Sequence, residues 1–225
     1  MSAPMIPYSP ARIETQVQLK RATAFLDEMD GRRSVRFFSD EPVPRELIEL
    51  AIRTASTAPS GAHKQPWTYV VTGDPVIKRQ IRQAAEREER VNYQEGRLPE
   101  HWREDLEPLG TDWHKPFLET VPWVVVLFEQ RYGVREDGER SHHYYVKESV
   151  GISAGLFVVA LHHMGLATLT HTPSPMKFLS RVLGRPENER PFCLFPIGYP
   201  ANDCVVPQLT RKGLDQVMVE VGSAT

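Results

Sequence analysis

Apolar positions recur along the chain with two different spacings, and the spacing changes several times. From residue 12 to 30, Ile13, Val17, Leu26 and Met29 fall at helical intervals, which predicts an amphipathic helix ending near Gly31. In VPRELIELAIRTAST, Pro44 stands where a first helical residue belongs, and Leu47, Ile48, Ala51, Ile52 and Ala55 form one apolar face. WTYVVTG is short and β-branched and predicts a strand. DPVIKRQIRQAAEREERVNYQE predicts a long charged helix with Ile77, Ile81 and Ala85 inward. Residues 95–116 show no period, and a connection of that length is commonly a lid or binding loop.

VPWVVVLFEQ predicts a second strand and RYGVREDGER a charged loop. SHHYYVKESVGISAGLFVVALHHMG is the most apolar helical stretch and predicts the central helix. LATLTHT predicts a strand and SPMKFLSRVLG a short helix ending at Gly184. RPFCLFPIGYP predicts a strand whose internal proline places it near an edge or a bulge. The order is helices interleaved with about four strands, an α+β or α/β architecture in a single domain over 1–225. Residues 1–11 read as an extended arm and 201–225 as a polar C-terminal extension.

Charge narrows the partners. Lys and Arg total 27 against 29 Asp and Glu, a net charge of −2, which argues against nucleic acid. The apolar run GISAGLFVVALHHMG is about half a bilayer span, so no membrane anchor is expected. No secretory h-region opens the chain, and two cysteines are too few for a stapled secreted fold. A cytoplasmic protein with reduced thiols is the expectation. Neither GxGxxG after a strand nor GxxxxGK[ST] is present, which argues against a Rossmann dinucleotide turn and a P-loop.

Within this balanced chain GRRSVRFFS concentrates Arg32, Arg33 and Arg36 around Ser34. Extended, Arg32, Ser34 and Arg36 share one face. Guanidinium groups bind a phosphate monoester through paired, charge-assisted hydrogen bonds, so a small phosphorylated ligand competes with a plain solvated basic patch as the explanation. The small residues of TAPSGAHKQPW let backbone N–H groups approach a ligand, or simply make a turn. The pairs His142/His143 and His162/His163 sit in predicted helix, where neighbours point about 100° apart, so neither pair chelates one ion and no metal is expected.

Taken together, RRSVRF, TAPSGAH, EERVNY, TDWHK, GLATLTHTP, VLGRP and RKGLDQVMV, in that order, resemble the nitroreductase-like FMN flavoproteins, and within them the iodotyrosine deiodinase branch. The resemblance runs from about Gly31 to Met218. It implies a nitroreductase-like α+β fold with a central, mainly antiparallel sheet flanked by helices, in an intertwined homodimer. It implies FMN, its phosphate held by Arg32, Arg33, Ser34, Arg36 and Arg211, with Pro59, Ser60 and Gly61 along the ring and Thr172 at flavin N5. The Ala62 N–H would meet the phenolic oxygen of a halotyrosine. Glu89, Tyr93 and Lys115 would close over that substrate, with 95–116 as the lid.

The residues themselves support the last set. Glu89 and Tyr93 are four apart and share a helix face, and with Lys115 they complement an amino-acid zwitterion. The implied activity is reductive dehalogenation of halotyrosine, with NAD(P)H or a separate reductase as electron donor. A broad nitro- or quinone reductase and a non-catalytic flavin- or amino-acid-binding protein are the alternatives. The chain departs from the branch at Lys64-Gln65, at His171, where threonine is expected before Thr172, and at Gly213, where proline is expected.

Overall fold

The computed structural model describes residues 4–222. Residues 1–3 of the predicted arm and 223–225 of the extension lie outside that range, and residues 4–11 are exposed and without regular structure.

Four strands form the main sheet: β1 (Trp67–Thr72), β2 (Trp123–Gln130), β5 (Ala167–Thr168) and β6 (Glu189–Gly198), in the order β1-β2-β6-β5 and antiparallel throughout. β2 is buried along nearly its whole length, and its side chains serve two cores alternately. Val124, Val126 and Phe128 face one side, where they join Ile81, Ala84 and Ala85 of α3 (Pro75–Gln94), Phe117 and Leu118 of α5 (Phe117–Thr120), and Phe178 and Leu179 of α7 (Lys177–Val182). Val125 and Leu127 face the other, against Ile48, Ala51 and Ala55 of α2 (Arg45–Ala55) and Val150, Phe157 and Leu161 of α6 (Val146–His163). The period of two along a strand therefore divides one apolar run between two helical layers.

The helices begin where their sequence dictates. The Asp74 carboxylate accepts from the N–H groups of Val76 and Ile77 at 2.7 and 3.0 Å, with Pro75 behind it, and caps α3. Buried Lys78 is satisfied by donating to the carbonyls of Glu119 and Val121 at 3.1 and 2.6 Å, which ties α3 to α5. α1 (Thr15–Asp30) stops before Gly31 as expected, yet it has no buried residue: Leu19, Phe25 and Leu26 are all exposed. No helix among the described residues is long and apolar enough to cross a membrane.

β6 is an interior strand, and of its two expected settings the bulge is the one realised, the register against β2 shifting between Leu127 and Phe128. Four other expectations are corrected. The charged loop after β2 is a hairpin, β3 (Tyr132–Val134) paired with β4 (Arg140–His142). His142 is thus in a strand, and α6 starts only at Val146 because Tyr145 is left-handed at φ 48°. Of LATLTHT only Ala167–Thr168 join the ladder, His171 making an isolated bridge to Leu194. Finally, the stretch read as irregular holds α4 (Glu100–Leu106) and a single 3-10 turn over Glu107–Leu109.

Candidate active site

Ser34 makes a parallel bridge to Thr168, and the Val35 N–H donates to the Thr168 carbonyl at 3.2 Å. The arginine-rich segment is therefore pinned extended beside the sheet edge, and its alternation is fixed. Ser34 and Arg36 point the same way, into a hollow of about 300 Å³ walled by Leu109 and Gly110 on one side and Val205 to Pro207 on the other. Arg33 donates to the Pro207 carbonyl. From the far end of the chain Arg211 returns: it donates to the Asp30 carbonyl at 3.0 Å, to the Asp30 carboxylate at 2.8 Å and to the Arg32 carbonyl at 2.9 Å. The tail and the basic segment thus meet, although the Arg211 guanidinium spends donors on protein oxygens.

Arg36 also lines a second cavity of about 350 Å³, between α3, the 95–116 segment and the strand-like run 169–174. Glu89, Tyr93 and Lys115 all line it, together with Thr172. One turn of α3 sets Glu89 and Tyr93 on the same face. Lys115 arrives on the segment leading into α5, its backbone N–H held by the Glu86 carboxylate at 2.8 Å. Its ammonium lies 3.7 Å from the Glu89 carboxylate and 5.7 Å from the centre of the Tyr93 ring, and it donates to Thr111 Oγ1 at 3.3 Å and to the Asp112 carbonyl.

Burial sets the electrostatics. It lowers the Lys115 pKa and raises that of Glu89, and each opposes the other's shift across the ion pair. The Tyr93 phenol is pushed up by burial and by the Glu89 charge, and the Arg36 guanidinium is pushed down by burial. The cavity therefore sets two carboxylates, Glu89 and Asp105, beside two cations, Arg36 and Lys115, an arrangement suited to a ligand that is itself zwitterionic.

The loop Pro59–Ala62 is elsewhere: none of its residues lines either hollow. It packs on the start of α6, where the Gly61 N–H donates to Ser149 Oγ at 3.3 Å. A β-carbon at Gly61 would stand 2.5 Å from the Tyr144 carbonyl oxygen, so only glycine fits there. Beyond it Ala62, His63 and Gln65 hold left-handed backbone at φ 49°, 52° and 47°. Non-glycine residues in that region store strain, and such strain gathers where backbone is shaped for a ligand.

Two contributors escaped the sequence reading. Glu86 belongs to a charge run that looks like a solvated face, yet its carboxylate positions Lys115. His171 was noted only as a departure from a pattern. It lines the cavity, is 7% exposed, and its Nε2 is a buried nitrogen without a hydrogen-bond partner. The only advance signal was a basic residue inside an apolar strand segment.

Against known proteins, the family model described as "Nitroreductase family" matches residues 29–199. The chain belongs to the nitroreductase family. Within that family it is 55% identical over 214 residues to an iodotyrosine deiodinase of Haliscomenobacter hydrossis, covering 95% of this chain and 96% of the relative. It is 45% identical over 217 residues to iodotyrosine deiodinase 1 of Homo sapiens, covering 96% of this chain and 75% of the relative. Among solved structures, an oxidised iodotyrosine deiodinase bound to FMN and 3-iodo-L-tyrosine superposes with a TM-score of 0.77 at 28% identity, covering 89% of this chain and all of that one. The nitroreductase-like fold, mixed helix and antiparallel sheet, is therefore that of this chain as well.

Proposed function

We propose that this nitroreductase-family chain is an FMN-dependent oxidoreductase that reductively dehalogenates halotyrosine. The observation that carries the reading is the convergence of Glu89, Tyr93 and Lys115 on one cavity bounded by Arg36 and Thr172. The high identity to iodotyrosine deiodinases over nearly the whole chain supports it.

The residues present fit FMN. Arg32, Arg33, Ser34 and Arg36, joined by Arg211, offer guanidinium and hydroxyl donors suited to a phosphate dianion. Thr172 and the backbone of Pro59–Gly61 take the ring. What reduced FMN supplies is a pair of electrons that, with one proton, exchange the aryl–halogen bond for aryl–hydrogen and release halide. The chain holds the substrate. Glu89 accepts from its ammonium, Lys115 donates to its carboxylate, Tyr93 hydrogen-bonds beside them, and the Ala62 N–H donates to its phenolic oxygen. Burial of Glu89 and Lys115 keeps water from these contacts, and residues 95–116 close the cavity as a lid. Positioning of this kind contributes a large part of the rate.

Because Pro59–Ala62 lies away from the cavity within one chain, the reading includes a homodimer in which a second copy brings that loop to the flavin. The exposed apolar side chains of α1 and of the tail, among them Phe25, Leu26, Val219 and Val221, supply the covering surface. NAD(P)H or a separate reductase is the electron donor, and the setting is cytoplasmic. The test is anaerobic. Reduced, FMN-loaded protein mixed with 3-iodotyrosine yields tyrosine, iodide and oxidised flavin; if the flavin stays reduced and no tyrosine forms, the reading is wrong.

A further inference from the structure

The turn of α3 that carries Glu89 and Tyr93 also carries Asn92, on the same face between them. Asn92 is 8% exposed and lines the cavity. Its backbone is held where α3 ends, the Asn92 carbonyl accepting from the Leu98 N–H at 3.2 Å. Its side chain is held as well, Nδ2 donating to the Ser174 carbonyl at 2.9 Å. A carbonyl only accepts, so that bond settles which end of the carboxamide is nitrogen. It is the side chain's one hydrogen bond among the described residues, and Oδ1 is left unpaired. Oδ1 is not sealed in, because His171 Nε2 is the one buried side-chain nitrogen or oxygen without a partner among those residues. Asn92 thus brings to the cavity an open acceptor whose carboxamide is anchored from behind.

The surroundings define the group that meets it. Arg36 and Lys115 already stand against Glu89 and Asp105, so a ligand carrying both signs leaves the charge balance of the cavity unchanged, and a neutral acceptor adds a hydrogen bond without disturbing that balance. A carboxylate only accepts, whereas an ammonium offers three N–H donors. Oδ1 therefore takes the ammonium. Glu89, three residues earlier on the same face, cannot serve all three donors alone, since its carboxylate is also paired with Lys115 at 3.7 Å. Asp105 is the other carboxylate here, exposed on the lid helix α4. The second Nδ2–H of Asn92 is the competing assignment, a donor for the ligand's carboxylate, and the ligands below separate the two.

We propose that Asn92 is a further specificity-determining residue of this cavity, its Oδ1 accepting a hydrogen bond from the α-ammonium of the halotyrosine beside Glu89. The inference rests on the halotyrosine reading and deepens it. FMN-loaded protein is titrated, by flavin fluorescence, with 3-iodotyrosine, with 3-(4-hydroxy-3-iodophenyl)propionate, which lacks the ammonium, and with 3-iodotyramine, which lacks the carboxylate. Asn92→Leu weakens both ammonium-bearing ligands roughly tenfold, the range of a hydrogen bond to a charged group, and leaves the propionate within about twofold. Asn92→Asp separates this role from the tie to Ser174. It keeps an acceptor and loses the donor, so it favours the ammonium-bearing ligands over the propionate at least as strongly as the native protein does; a merely structural Asn92 would make the two variants fail alike. Asn92→Ala is read in the same way should the leucine variant not fold. Equal losses for all three ligands, no loss for any, or a loss confined to the two ligands with a carboxylate overturn the inference. So does a preference for ammonium that vanishes in Asp105→Asn and persists in Asn92→Leu. If the native protein binds iodotyrosine and favours it over the propionate, the halotyrosine reading stands whatever Asn92 does; if it binds none of the three, both fall.

Discussion

At the scale of single residues, the cavity is governed by what burial does to charge. His171 shows it most simply. Burial, with Lys115 and Arg36 nearby, pulls its pKa from 6.5 down to about 3. An unfolded chain takes up a proton at this position below pH 6.5, whereas the folded chain does not until about pH 3. Stability from this site is therefore complete above pH 6.5 and drains away as pH falls toward 3, at about 1.4 kcal/mol per pH step. Urea unfolding at pH 7 and pH 5 should show the native protein losing about 2 kcal/mol more than His171→Asn; equal losses would mean that His171 titrates in the folded state. Arg211 gives a second expectation. Its guanidinium fastens the tail to Asp30 and Arg32, so under the proposed FMN reading Arg211→Ala should weaken FMN retention at least tenfold by equilibrium dialysis, through loss of the tail's anchor and of a proposed phosphate partner.

At the scale of elements, legibility followed length and periodicity. α3 could be read end to end because Asp74-Pro75 marks its start and twenty residues repeat one face, which also put Glu89 and Tyr93 together correctly. β1 and β2 were equally plain. The hairpin of β3 and β4 was not, since three residues per strand are too few to show alternation. β6 could be read only as near an edge or a bulge, because a proline fits either; the pairing decides for the bulge, with β6 an interior strand whose register shifts between Leu127 and Phe128 of β2. For the site, charge-bearing residues in recognisable order were legible. The roles of Glu86 and His171 were not, because they depend on which tertiary neighbours surround an ordinary-looking carboxylate and imidazole.

The Pro59–Ala62 loop carries the prediction that belongs to this scale. Gly61→Ala drives a methyl group into the Tyr144 carbonyl, so it should destabilise the fold by about 1–3 kcal/mol in denaturant melts. Ser149→Ala removes the acceptor of the Gly61 N–H and the donor to the Tyr145 carbonyl, and should cost about 1–2 kcal/mol. A Gly61→Ala protein as stable as the native one would mean that the loop can shift away from α6.

At the scale of the whole molecule, the proposed homodimer would cover surface that the single chain leaves open. α1 buries none of its own residues, and the tail leaves Leu214, Val217, Met218, Val219 and Val221 open. Exposed apolar side chains on α1 and the tail are the surface that the proposed homodimer would bury. Light scattering should give twice the chain mass for the native protein and one chain mass for Phe25→Asp, whose charge is placed where a second copy would pack. Under the proposed shared site the variant should also lose its FMN, because a second copy would no longer bring its Pro59–Ala62 loop to the flavin. A dimeric Phe25→Asp, or a monomer that keeps its flavin, would contradict the shared site.

The sheet order β1-β2-β6-β5 also governs how the molecule is made. β2, buried along nearly its whole length, leaves the ribosome about 60 residues ahead of the partner that covers its second edge. At synthesis rates of roughly 5–20 residues per second that edge stays open for several seconds. During that interval the nascent polypeptide displays a largely apolar, valine-rich ribbon with free hydrogen-bonding groups, so high-level expression selects for chaperone capacity before it tests the finished enzyme.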